Sequence, residues 1–226
     1  MVQKSIVLDF DHTIGYFTQM VFIINTIEVT HDMELSESDF HILFHHYPHI
    51  FRPKLLDILQ LVLHLQKDNK VIFFILYTRN NLQRFVEAIV SYLESKLKHH
   101  ELFQFKIYEK TKFKNMNTIQ SHISNIQNHI LCFIDNTYFS YDIKEEGTKY
   151  IKCEKYIYDY KTSEIVQRFP YFHFLKIDQT LLNDYLVLQK HRSKKNKKKQ
   201  NTKYLPHCLY ELHSSFIYQS IRDFVS

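Results

Sequence analysis

The sequence predicts an α/β fold built on a doubly wound parallel sheet, and three observations predict it. Continuous apolar runs at Ile6–Leu8, Val71–Tyr77 and Ile130–Ile134 read as strands buried on both faces. Segments with helical spacing lie between them, the clearest over 82–97. Each run also stops at a polar side chain: Asp9, Thr78 and Asp135. Strands alternating with helices give a parallel sheet covered on both sides. Ligands of such sheets bind outside the carboxyl ends of the strands.

The elements follow in order. Phe17, Met20, Val21, Ile24 and Ile27 recur at helical spacing and predict a core-facing helix behind the first strand. Residues 28–40 are polar, with Ser36, Ser38 and Asp39 available as caps before Phe40–Phe44. Phe51-Arg52-Pro53 opens another helix, Pro53 suiting its first turn, and Leu55, Leu56, Ile58, Leu59, Val62 and Leu65 carry it to Asp68-Asn69. Over 82–97, Leu82, Phe85, Val86, Ile89, Val90, Leu93 and Leu97 hold one face. Phe103–Tyr108 alternates weakly, as a short strand does. A lysine-rich stretch then leads into a helix with Met116, Ile119, Ile123 and Ile126 on one side. Tyr150–Cys153 reads as a fourth strand, and helical patterns follow at Ser163–Phe169 and Thr180–Leu188. Leu209, Leu212, Phe216, Ile221 and Phe224 make a final amphipathic segment.

Composition narrows the function. At 226 residues and 45% hydrophobic, the chain can bury one sizeable core. Its only glycines, Gly15 and Gly147, exclude a glycine-rich phosphate cradle, which needs close backbone approach at several positions. Cys132, Cys153 and Cys208 are odd in number and scattered, which indicates neither a zinc site nor a disulfide framework and suits a reducing intracellular compartment. The first strand begins so close to Met1 that no signal peptide is expected, and no apolar stretch nears the ~20 residues of a membrane helix. Residues 190–203 hold eight Lys or Arg and no acid, so of the formal +5 about −3 is left for the rest of the chain. Basicity is therefore one local tract, not a nucleic-acid-binding face spread over a domain.

The chemistry concentrates at Asp9-Phe10-Asp11-His12-Thr13. In an extended chain Asp9 and Asp11 point to one side. Two such carboxylates repel unless a cation bridges them, and hard oxygen ligands favour Mg²⁺. A polar exit from a strand has a bland reading as an Asx turn, a threonine after a strand as a cap, and a lysine before a helix as a solvated side chain. Their recurrence at three strand ends on one rim is harder to read as coincidence. The set is Asp9 with Asp11, Thr78, a lysine before the third strand's helix, and Asp135 with Asn136.

That order resembles the haloacid dehalogenase superfamily. Asp9-x-Asp11-x-Thr13 is similar to its first motif, followed by strand-Thr78, a lysine and the Asp135-Asn136 strand end. Arg52-Pro53, Tyr77-Thr78, Cys132–Asp135 and the stretch from Tyr150-Ile151 to Tyr156 resemble one branch. It comprises the phosphatases of the RNA polymerase II carboxy-terminal domain, also called nuclear-LIM-interactor-interacting-factor-like, including copies carried by large DNA viruses. The resemblance spans about residues 5–170. There are departures: Thr137-Tyr138 replaces the branch's frequent Ser-Pro, His12 stands where many members have Glu, and no inserted β-module is evident in 79–113.

The resemblance implies a Rossmannoid domain over 1–189 with little or no cap, and composition and apolar spacing add a basic flexible tract over 190–203 and an amphipathic helix over 204–226. It implies a protein Ser/Thr phosphatase of the polymerase-tail type, acting on a phosphorylated protein inside the cell, cytoplasmic or nuclear, with a virus-infected host cell among the settings it allows. Asp9 would be the nucleophile that becomes an aspartyl-phosphate, and Asp11 the general acid and base. Mg²⁺ would be held by Asp9, the Asp11 carbonyl and Asn136, with Asp135 in the same cluster. Thr78 would bond a phosphoryl oxygen and Thr13 would support the loop. Lys114 would neutralise the phosphoryl group and pair with Asp135, Lys110 and Lys112 being its rivals. Two other classes stay open: a phosphatase of nucleic-acid ends or nucleotides, to which 190–203 could add affinity for a polyanion, and an interaction module without turnover. The tract also has plain readings as a linker or a nuclear-import signal.

Overall fold

The structure, a computed structural model, describes residues 2–111, 114–137, 148–169, 187 and 205–226. Among them, five strands form one all-parallel sheet: β1 Gln3–Leu8, β2 Phe73–Thr78, β3 Phe105–Tyr108, β4 His129–Asp135 and β5 Lys149–Lys152. Their order is β3-β2-β1-β4-β5, so the winding runs outward from β1 on one side and then restarts beside β1 with β4. This is the strand order of a Rossmann-like, doubly wound α/β fold, with its switch point between β1 and β4.

The continuous apolar runs have a direct cause. On one face Val7, Ile75, Ile107, Leu131 and Phe133 pack with Met116, Ile119, Ile123 and Ile126. The alternate side chains Ile6, Leu8, Phe74, Leu76, Cys132 and Ile134 are buried too. With period-two side chains, a strand apolar at both parities must be covered on both faces.

The helices are α1 Thr18–His31, α2 Glu37–His46, α3 Leu55–Lys67, α4 Gln83–Leu97, α5 Met116–His122, α6 Thr162–Arg168 and α7 His207–Val225. They fall into two compact units. The first, within 1–16, 51–156 and 206–226, holds the sheet with α3, α4, α5 and α7. There α3 packs on α4 and α7, and α7 packs on β4 and β5. The second, within 17–50 and 157–205, holds α1, α2 and α6. Ser36 caps α2 with a capping box to Asp39. Inside this unit the buried Tyr47 hydroxyl donates to the Ile165 carbonyl at 2.9 Å, and Gln19 bonds both the N–H and the carbonyl of Tyr160, at 2.7 and 3.0 Å.

Several expectations change. The helix expected to lie behind the first strand, α1, clusters with α2 and α6, and the β1–β2 connection within the sheet unit is α3. Within 1–189, the range expected to hold the phosphatase-like domain, the described residues cluster into two compact units. Helical spacing says that a face is buried; it does not say by what. Pro53 lies before α3, which begins at Leu55 after Lys54 in the left-handed region at φ 57°. In α7 the buried face is Tyr210, Ser214, Ile217, Ile221 and Phe224, while Leu209, Leu212 and Phe216 are exposed. Serines at 214 and 220 let the helix approach closely, and a count of large apolar residues overlooks them. The pattern at Thr180–Leu188, apart from helical Val187, and the tract 190–203 lie outside the described residues. No helix among the described residues is long and apolar enough to cross a membrane.

Candidate active site

Sheet register assembles the site. Leu8 pairs with Leu76 on one side and Ile134 on the other, so Asp9 leaves the sheet level with Tyr77 and Asp135, at the switch point. The Asp9 N–H still donates to the Ile134 carbonyl at 3.0 Å. The chain then turns tightly. The Ile14 N–H bonds the Phe10 carbonyl at 2.9 Å, and the His12 N–H bonds the Gly15 carbonyl at 2.7 Å. His12 takes a left-handed φ of 62°, a conformation for which histidine is enriched among non-glycine residues. Arg52, itself buried, donates to the carbonyls of Thr13 at 2.7 Å, His12 at 2.8 Å and Glu154.

Asp9 lies at the bottom of a cleft of about 630 Å³ and is itself buried. Its carboxylate accepts from the Lys114 ammonium, from the Thr13 hydroxyl at 2.8 Å and from the Asn136 amide at 3.0 Å. Lys114 is also buried and donates to Asp135 at 3.0 Å, so one cation spans two carboxylates. A buried cation needs such partners, since unpaired it would cost several kcal/mol, of order ~3–5. Of the rival lysines, Lys110 lines the cleft wall and is exposed, and Lys112 lies outside the described residues.

What holds Lys114 was not visible in the sequence. Its ammonium sits 5.3 Å from the Tyr77 ring centroid. The Tyr77 hydroxyl donates to Glu109 at 2.7 Å and accepts from the Asn115 N–H at 3.0 Å. Burial pushes the Glu109 carboxyl up, but bonds from Tyr77, the Thr111 N–H and Thr118 outweigh it and hold Glu109 at about 2. The loop before α5 is thus fastened on both sides of Lys114.

Asp11 has different surroundings. Burial, and then the nearby Asp9 charge, raise its carboxyl to about 6, against the lowering pull of Asn80, Lys114 and Arg79. Asn80 donates to it at 3.1 Å. Asp135 is also pushed up, by burial and then by Asp9. Both Asp135 oxygens are engaged, one by Lys114 and the other by the N–H and hydroxyl of Thr137 at 2.7 and 2.8 Å. Asp135, expected in the metal cluster, therefore acts here as the anchor of Lys114. Thr13, expected to support the loop, and Thr78, expected to bond a phosphoryl oxygen, are buried and do not line the cleft. Thr13 braces Asp9, and the Thr78 hydroxyl oxygen accepts the Asn80 N–H at 3.0 Å.

His12 reaches the wall beside Asp11. Its Nδ1 meets the Tyr156 carbonyl at 2.8 Å, and because a carbonyl only accepts, Nδ1 carries the proton. Burial pulls its pKa below the usual histidine value. Cys153 and Cys132 are buried thiols pushed up to about 11 and 12, which suits packing and not nucleophilic attack.

One point gathers hard oxygens. The Asn136 amide nitrogen contacts Asp9 at 3.0 Å, the Asp11 carbonyl, and the Thr13 hydroxyl at 3.1 Å. Turning the amide over would present its oxygen to the same point, giving one carboxylate, one carbonyl and one amide. Among the described residues no group of three or more His, Cys, Asp and Glu could hold a metal on side chains of those types alone. Compared with protein-family models, with curated proteins and with solved structures, the chain finds no match.

Proposed function

We propose that the chain is a Mg²⁺-dependent phosphomonoester hydrolase of the haloacid dehalogenase type, working through an aspartyl-phosphate on Asp9. The observation that carries this reading is the contrast between two neighbouring carboxylates. Asp9 is bonded by a cation and two neutral donors. Asp11 is bonded by one amide and raised to about 6. A carboxyl raised to about 6 by burial can hold the proton that a leaving alkoxide needs, which suits Asp11 to general acid work.

The steps follow. An Asp9 oxygen attacks phosphorus, and the bond from phosphorus to the ester oxygen breaks. Asp11 gives its proton to that oxygen, so an alcohol leaves. Asp11 then takes a proton from water, whose oxygen attacks the phosphoryl group, releasing phosphate and restoring Asp9. Lys114 meets the charge of the phosphoryl oxygens while Asp135 holds it in place. The oxygens of Asp9, the Asp11 carbonyl and Asn136 suit Mg²⁺, which when bound would offset the repulsion between a phosphate dianion and an anionic nucleophile. Thr78 enters this scheme only as support for the Asn80 turn.

For substrate, the resemblance at Asp9–Thr13, Tyr77-Thr78 and Cys132–Asn136 supports a phosphorylated Ser/Thr protein of the polymerase-tail kind. The test is an assay panel: an aryl phosphate, phosphopeptides of that tail and a 3′-phosphorylated oligonucleotide, each with Mg²⁺ and with EDTA. Hydrolysis of the aryl phosphate and the phosphopeptides in Mg²⁺ alone is expected. Undiminished rates in EDTA would remove the metal, and turnover of the oligonucleotide alone would move the substrate to nucleic-acid ends.

A further inference from the structure

We infer that Asn80 is a positioning residue for the proton transfer assigned to Asp11: its side-chain amide holds one carboxyl oxygen, Oδ1, and thereby leaves the proton to the other. This rests on the reading of Asp11 as the general acid of a phosphatase.

Asp11 follows the end of β1 and lies half-buried on the cleft wall. An aspartic acid has two rotatable side-chain bonds and two oxygens, either of which can carry the proton. Proton transfer to one leaving oxygen needs both choices made beforehand, since a proton on the wrong oxygen has to be moved before it can be given. Charge alone makes that choice poorly. Lys114 and Arg79 act on Asp11 through space, and two other cations of the wall, Lys110 and Lys155, make no bond to it among the described residues. One donor does bond it there: the Asn80 amide nitrogen, 3.1 Å from Oδ1.

Asn80 is itself held at both ends. Its N–H donates to Thr78 Oγ1 at 3.0 Å, and Thr78 is fully buried as the last residue of β2. The Thr78 carbonyl in turn accepts the Glu109 N–H at 2.7 Å, next to the end of β3, so the support belongs to the sheet. At its other end the Asn80 side-chain oxygen accepts the N–H of Leu82, the residue before α4, at 2.9 Å. That bond also fixes which way the amide faces. A backbone N–H can be met only by the amide oxygen, so the nitrogen is the end presented to Asp11.

The direction of the bond decides the rest. An N–H needs a lone pair, and in a neutral carboxyl the carbonyl-type oxygen is the better acceptor. A bond to Oδ1 therefore places the O–H on Oδ2. Once that proton has passed to the ester oxygen, the carboxylate keeps the same bond, now to an ionised acceptor and stronger. The geometry that gives a proton to the leaving group is thus the geometry that takes one from water. Thr78, buried away from the cleft lining, reaches the chemistry by this route: strand end, Asn80, Asp11.

The experiment measures kcat/KM of the full chain in Mg²⁺ on two aryl esters. Dinitrophenyl phosphate expels a leaving group that needs no proton; phenyl phosphate expels one that does. The test variant is Asn80→Ser, whose hydroxyl can still accept the Leu82 N–H and falls one bond short of Asp11. It is expected to lower kcat/KM on phenyl phosphate by about tenfold or more and on dinitrophenyl phosphate by less than about threefold. Asn80→Ala, which gives up the Leu82 bond too, is expected to show the same disparity with a lower thermal midpoint. In an Asp11→Asn background, Asn80→Ser should add less than about twofold on phenyl phosphate, because the proton it directs is gone. Equal losses on the two esters, or no loss on phenyl phosphate, would overturn the positioning role and leave the phosphatase reading standing. So would losses that multiply independently in the double variant. Failure of the wild-type chain to hydrolyse either ester would remove the phosphatase reading, and the role of Asn80 with it.

Discussion

The sheet unit has two clefts of similar size. One opens at the carboxyl rim of the sheet and measures about 630 Å³; the other lies between α3 and α7 and measures about 510 Å³. The helical cleft is lined by Lys54, Asp57, His64, Ser214, Tyr218 and other polar and apolar side chains. Lys54 bonds Ser215 at 3.0 Å across it, an exposed contact of the kind worth little. At the rim, buried charges from three separate segments are tied to one another, Asp9, Lys114 and Asp135, with half-buried Asp11 beside them. Volume does not tell the two apart. Convergence of costly groups does, because a fold retains buried charges only where each has partners, and such places are where chemistry is found.

Asp9→Asn should break the comparison most sharply. It keeps volume and removes the proposed nucleophile, so kcat on an aryl phosphate should fall roughly 10³-fold or more while the far-UV spectrum and thermal midpoint hold. Near-wild-type turnover would make the rim cleft as inert as the helical one.

Lys114→Met should cost both function and fold. It leaves Asp9 and Asp135 facing each other without their shared cation, so denaturant melts should show a loss of about 3–5 kcal/mol and turnover should drop by two orders of magnitude or so. A stable, active Lys114→Met protein would mean that Lys110 or Lys112 supplies the charge.

A pH series sharpens the contrast between the two aspartates. Asp11 is raised from its ordinary 3.8 to about 6, so its proton is present well below that value and lost as pH climbs through it. Turnover of an ester with a poor leaving group should therefore decline above about 6, and Asp11→Asn should lower it by ~10²-fold or more and flatten that limb. The same shift has a stability sign. The folded state favours the neutral carboxyl, so stability on this account is highest at low pH and is lost between 3.8 and about 6. Asp11→Asn removes the loss and should raise stability at pH 7 by about 1–3 kcal/mol, read from urea melts.

The smallest effect is expected from the helical cleft. His64→Ala and Tyr218→Ala should leave aryl phosphate turnover within about twofold of wild type, since neither side chain meets a buried charge. A tenfold loss would tie α3 and α7 to the chemistry after all.

Most of the sheet could be read from the chain. The runs ending at Leu8, Tyr77 and Ile134 are apolar at both parities, and only strands covered on both faces are written that way. Asp9, Lys114 and Asp135 were legible for a related reason, since a charge directly after such a run, or before the helix that feeds one, has a fixed address on the rim. Asn80, Glu109, Arg79 and Lys155 were not. Each is one polar residue in a loop, with no period to mark it, and its position depends on strand register and on bonds to residues far away in sequence. Thr78 was legible by the same address, and what the sequence did not show is that its hydroxyl oxygen also accepts the Asn80 N–H. The second unit was hidden because α1 and α2 have the same periodicity whether they cover a sheet or each other.

Arg52 carries one more consequence. Its guanidinium joins the carbonyls of Thr13, His12 and Glu154, so the floor beneath Asp9 is spliced from three stretches of chain that are remote in sequence. The clamp to Glu154 closes a separation of 102 residues, of the same long-range kind as the pairing of β1 with β4, so the turn and the sheet depend on the same distant closure. A fragment ending near Lys152 would still carry Asp9, Asp11, Thr78, Lys114, Asp135 and Asn136, yet it would lack the third leg of this clamp. The geometry of the turn is thus a property of the closed circuit and not of any motif within it.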